Sequence, residues 1–80
     1  MGDFKGWESR SDTHFIADLG DVGKIEVYSD RSGRWSASVF KWSRHDLESA
    51  VEAKKIAIRM AHEHLARALN RLVRLEDQKD

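Results

Sequence analysis

The chain has 80 residues, 40% hydrophobic and 35% charged, with fourteen basic against fourteen acidic side chains and no cysteine. That length bounds it to one domain near the size where a lone core is marginal, and the composition is that of a globular rather than a disordered chain. The missing cysteine excludes disulfides and thiolate metal sites, the short apolar runs exclude a membrane-spanning helix, and zero formal charge weighs against nonspecific nucleic-acid binding.

Residues 1–12 read as an N-terminal arm or strand extension, with Phe4 and Trp7 lengthening the first strand or covering one end of the core. No apolar segment follows Met1-Gly2-Asp3-Phe4-Lys5, and Gly6 stands where a myristoylation motif calls for Ser or Thr, so a cytosolic location is expected. Thr13 to Leu19 alternates, with Phe15, Ala17 and Leu19 on one side, as a half-buried strand does. Gly20-Asp21-Val22-Gly23 is a turn. Lys24 to Ser29 alternates again, Ile25 and Val27 pointing inward, and Asp30-Arg31-Ser32-Gly33 turns the chain once more. Arg34 to Trp42 is the third strand, with Trp35, Ala37 and Val39 inward and Ser36, Ser38, Phe40 and Trp42 outward. Residues 13–42 therefore form a three-stranded antiparallel meander.

Ser43-Arg44-His45-Asp46 fits a capping box, and nothing breaks a helix from there to about Leu75. At 100° per residue, Leu47, Ala50, Val51, Ala57, Ile58, Ala61, Leu65, Ala68, Leu69, Leu72 and Leu75 share one face, predicted to lie on the sheet. Glu63 with Arg67 and Glu52 with Lys55 are spaced as ion pairs along the helix. The fold class is α+β: a three-stranded antiparallel meander, a long C-terminal amphipathic helix over 43–75, and a frayed tail over 76–80. A helix of this length extends ~45 Å, whereas strands of six to eight residues span only ~20–27 Å. Leu65, Leu69, Leu72 and Leu75 therefore overhang the sheet. Their cover is the N-terminal arm or a fold-back of the last turns, the mate in a homodimer, or a groove on another protein.

Ala61-His62-Glu63-His64 lacks the i,i+4 histidine spacing that lets two imidazoles share one ion, so the two histidines read as a solvated pair, and no metal or cofactor is expected. No serine sits in a nucleophile elbow, and Gly20-x-x-Gly23 is too short for a phosphate loop, so no enzyme is expected. Two surfaces carry the functional reading. On the back of the helix Ala53, Ile56, Met60, His64, Arg67, Arg71 and Arg74 fall within a narrow angle, so that Ile56 and Met60 form an apolar knob continued by three arginines. On the outer face of the sheet, Lys24, Tyr28, Arg34, Phe40 and Trp42 interleave bases with aromatics, a pattern that stacks on nucleotides or makes cross-strand pairs. The basic bias of residues 41–80, about two charges, is matched by an acidic first half.

Val27-Tyr28, then Gly33-Arg34-Trp35-Ser36-Ala37-Ser38-Val39, then Ser49-Ala50-Val51-Glu52-Ala53-Lys54-Lys55-Ile56-Ala57 resemble the strand–strand–helix pattern of short phage and prophage proteins, anti-CRISPR inhibitors among them. The resemblance covers more than a third of the chain, through motifs of low specificity. It implies a non-catalytic interaction protein of a bacterial host's cytoplasm that binds a protein partner such as a defence nuclease complex. The same stretch resembles AP2-like and integrase arm-binding domains, which lay a three-stranded sheet in the major groove. Those sheets carry several outward bases, whereas this one has Lys24 and Arg34 with Glu26 and Asp18 among them. The expected function is that of a phage-type inhibitor, with Ile56, Met60, Arg67, Arg71 and Arg74 as partner surface and a homodimer as its form. A nucleic-acid-binding sheet and a minor assembly subunit are the alternatives.

Overall fold

A computed structural model describes residues 6–77. Five strands, β1 (Trp7–Ser11), β2 (His14–Asp18), β3 (Lys24–Ser29), β4 (Trp35–Val39) and β5 (Trp42–Leu47), are followed by one helix, α1 (Ala50–Asp77). The sheet is antiparallel throughout, and its spatial order β1-β2-β3-β4-β5 is the order of the chain. The α+β class and the meander therefore hold, but the meander has five strands rather than three. Of the N-terminal arm, Trp7–Ser11 is a strand of its own, and Phe4 lies outside the described residues. Among the described residues no helix is long and apolar enough to cross a membrane.

The three central strands keep their expected facing. Ala17, Ile25, Val27, Ala37 and Val39 are buried beneath the helix, and Phe15 and Trp35 pack against them with their rings stacked at 6.2 Å. Val27 and Val39 are wholly buried, each worth roughly 1.5–3 kcal/mol relative to exposure. Leu19, expected inward, is exposed, because β2 ends at Asp18 and the chain enters a 3₁₀ turn over Gly20–Val22. Asp18 Oδ1 accepts the Gly20 N–H at 2.8 Å to start that turn. Gly23 ends it at φ 122°, and a Cβ there would stand 3.3 Å from the Phe40 ring. Asp30 organises the next turn, its Oδ1 accepting from the Ser32 hydroxyl at 2.6 Å and the Ser32 N–H at 2.9 Å.

The third expected strand is in fact a hairpin. Phe40 takes φ 56°, the chain reverses through Phe40-Lys41, and β5 returns alongside β4 with Val39 opposite Trp42 and Ser38 opposite Ser43. Opposed residues share a face, so Trp42 lies on the helix side with Val39 and not on the outer side. Ser43 is a strand residue and not a cap. The helix starts seven residues later than the expected start at 43, capped by Ser49: its Oγ accepts the Glu52 N–H at 3.1 Å, while Glu52 Oε1 accepts the Glu48 N–H at 2.8 Å. Glu76 and Asp77, assigned to a frayed tail, continue the helix.

The helix also presents a different face from the one expected. Its buried residues are Ala53, Lys54, Ala57 and Ala61, with Ile56, Met60 and His64 half-buried beside them, while Val51, Ile58 and Leu65 are exposed. The buried face is turned by about 70° from the predicted stripe, and Leu47 belongs to β5. The cause is volume: the sheet brings Trp7, Phe15, Trp35 and Phe40 to this interface, so the helix supplies alanines and lies close.

Candidate interaction surface

Burial along α1 ends at Ala61, and every residue from Leu65 to Asp77 is exposed. At 1.5 Å per residue the helix is ~42 Å long, about twice the ~17–20 Å of a five- or six-residue strand, so its second half stands clear of the sheet. The notch under this projecting half is closed on one side by the β4–β5 hairpin tip. Trp42 stacks on His64 there, ring centroids 3.6 Å apart and planes within 10°, and the Lys41 ammonium lies 5.3 Å from the Trp42 ring. An open groove of about 520 Å³ runs on from this pair, lined by Trp42, His64, Arg67, Ala68, Arg71, Leu72 and Leu75.

Comparisons with family models, with curated proteins and with solved structures find no match.

The residues expected on the partner surface separate into two groups. Arg67, Arg71 and Arg74 are exposed along the projecting half, and among the described residues none of them is in an ion pair. Ile56 and Met60 do not form an outward knob: both are half-buried against the core, because the helix is turned toward them. Glu63 and Arg67 do not close an ion pair, nor do Glu52 and Lys55, since Glu52 is spent on capping the helix. Leu65, Leu69, Leu72 and Leu75 lie on the projecting half, at 40%, 60%, 58% and 65% exposure.

The five residues of the nucleic-acid face are not brought together. Phe40 packs against the core and Gly23, and Trp42 is on the helix side, stacked on His64. The outer side keeps Lys24 and Tyr28, and there the Lys24 ammonium is 3.9 Å from Glu26, which His14 also approaches at 3.6 Å. Arg34 is 3.9 Å from Asp46 at the sheet edge. Ile16, also on the outer side opposite Glu26, is buried.

Sequence reasoning missed the Trp42–His64 contact and treated His62 and His64 as a solvated pair, which only His62 resembles. No local spacing links Trp42 to His64; the Phe40-Lys41 reversal creates the contact. It also missed a cluster on the outer face, where the His45 ring contacts the Ser36 hydroxyl through Nδ1 at 3.0 Å and the Ser43 hydroxyl through Nε2 at 3.4 Å. Among the described residues no carboxylate pairs with that imidazole, and no three His, Cys, Asp or Glu side chains converge as metal ligands would.

Proposed function

We propose that the protein is a non-catalytic interaction protein that docks on an acidic protein surface through Arg67, Arg71 and Arg74 together with the Trp42–His64 pair. The observation that carries this reading is the arginine row itself. Three guanidinium groups without ion-pair partners among the described residues line one side of a projecting helix, beside a tryptophan already fixed by stacking. Arginine and tryptophan are the side chains that most often dominate the energy of protein interfaces, and guanidinium groups bind carboxylates in paired, directional contacts. Ile56 and Met60 support the fold of this reading and not its contact surface.

A base stacking on Trp42 would have to compete with His64, which supports a protein rather than a nucleic acid as the partner. The resemblance to short phage proteins gives the reading its most specific form, an inhibitor seated on a bacterial defence nuclease complex in the host cytoplasm. A minor assembly subunit would use the same row in the same way.

The test compares wild-type protein with an Arg67→Glu/Arg71→Glu/Arg74→Glu variant, both immobilised and exposed to bacterial lysate. We expect a species that the wild type retains, that raised salt releases, and that the variant does not hold. Equal retention by the variant would remove the arginine row from the reading. Duplex DNA binding by the wild type at low salt, falling steeply as salt rises, would transfer the row to phosphate recognition instead.

A further inference from the structure

The projecting half of α1 carries a second surface, centred on its leucines, that meets the arginine row only along the groove where Arg67 and Arg71 face Leu72 and Leu75. From residue 58 onward, apolar side chains recur at alternating intervals of three and four: Ile58, Ala61, Leu65, Ala68, Leu72 and Leu75. Apolar residues at that 3.5-residue repeat form the seam of a helix pair. The sheet takes only Ala61, and the seam is otherwise exposed. Hollows along it share their walls: Leu72 and Leu75 line two of them, Trp42, His64 and Ala68 link to a third, and Leu65 continues into a fourth. The surface is one continuous path.

We propose that a second copy of this chain covers that path, the two projecting helices lying antiparallel about a twofold axis near residues 66 and 67. Area favours this occupant. Ile58, Leu65, Leu69, Leu72 and Leu75 together expose roughly 540 Å² by their fractional exposures, and Leu19 and Val22 at the rim bring the total to about 700 Å². The largest apolar patch on a typical monomer is about 300–600 Å², whereas a stable interface takes about 800 Å² from each side.

The seam's own pattern sets the direction. Run antiparallel about that axis, Leu65 meets Ala68 of the second copy, Ala61 meets Leu72, and Ile58 meets Leu75. Each of the two inner layers then joins one large and one small side chain, as even packing requires. A parallel pair would set Leu65 on Leu65 and Ala68 on Ala68, alternating crowded and hollow layers. The antiparallel register also gives Leu72 a hole. A hollow of about 180 Å³, lined by Leu19, Ile25, Ile58, Ala61, His62 and Leu65, lies beside Ala61, where the second copy's Leu72 arrives. At the rim the same register brings Lys55 against Glu76 of the second copy, an opposite-charge pair at the flank of the seam. The open sheet edges fit self-association less well: β1 and β5 are short, each sits at a register irregularity, and they carry Glu8, Arg10, Arg44 and Asp46.

Sedimentation of the full chain from nanomolar to high micromolar concentration tests the association. We expect twice the monomer mass at micromolar concentration, and half that mass for Leu72→Asp/Leu75→Asp. An Arg67→Glu/Arg74→Glu variant should remain dimeric, which separates this surface from the arginine row. A wild-type monomer at the highest concentration, or a dimer that survives Leu72→Asp/Leu75→Asp, overturns the proposal. Because the chain has no cysteine, direction can be read by oxidative trapping. A mixture of Ile58→Cys and Leu75→Cys chains should cross-link as the mixed pair. Cross-linking of each variant with itself, and not across the mixture, overturns the antiparallel arrangement.

Discussion

Lys54 sits where the physical forces on this small core oppose one another most directly. It is 6% exposed, on the buried face of α1, with its ammonium 4.0 Å from the Phe15 ring centroid and 5.5 Å from that of Trp7. Burial pushes its pKa below the ordinary lysine value of 10.5, while the ring faces favour the charge. The sign of the pH dependence follows. At pH values below the depressed pKa both native and unfolded chains hold the proton, and folding bears the full cost of burying it. Between that value and 10.5 the native protein releases its proton first, so stability rises with pH, and the cost is gone above 10.5. Urea denaturation of wild type and Lys54→Met from neutral pH to pH 10.5 should show the difference moving in favour of wild type as pH rises. A pH-independent difference would mean that burial does not govern the lysine. Asp30 acts on the acid side: the Ser32 hydroxyl holds its carboxyl below the usual 3.8, so its contribution is present above 3.8 and is lost as pH falls through the lowered value. The sequence displays Lys54 as one more solvent-facing lysine, because its burial depends on rings that arrive from β1 and β2.

Among the elements, the central strands were readable because Ile25 and Val27, and Ala37 and Val39, alternate with polar neighbours, and burial on one face demands that period. β5 was not, since Ser43, Arg44, His45 and Asp46 are exposed on an edge strand and show no apolar alternation. Its turn, Phe40-Lys41, also lacks the glycine or asparagine that usually marks a positive φ. The existence of the helix was plain, but its rotation was not. Leucines dominate any apolar stripe drawn from sequence, whereas here the sheet's aromatic rings select alanines for contact and leave the leucines outside. The candidate surface was legible in the same proportion: the arginine row and the leucine overhang follow from helical spacing, and Trp42 and His64 do not. Two Ser-x-x-acid boxes compete for the helix start, and the structure chooses the one at Ser49. Ser49→Ala should therefore cost about 1 kcal/mol of stability by chemical denaturation, and Ser43→Ala about half of that or less. Equal losses would place the start of the helix wrongly.

Taken whole, the molecule is 54 Å long and 16 Å in its least dimension, because one helix runs past a small sheet. Its two halves should differ in local stability. Amides of residues 53–61 lie over the sheet and should exchange slowly with solvent at every protein concentration. On the proposed pairing, those of 66–77 should gain protection as concentration rises. Uniform, concentration-independent protection along α1 would contradict that division. The sheet order also has a kinetic consequence. Every strand pairs with the strand before it through a short connection, so no pairing has to close a long loop. The meander can zip from one hairpin to the next, and its local contacts place it among the faster-folding sheet proteins. The helix, last in the chain, has only to land on a surface that its own sheet has already completed.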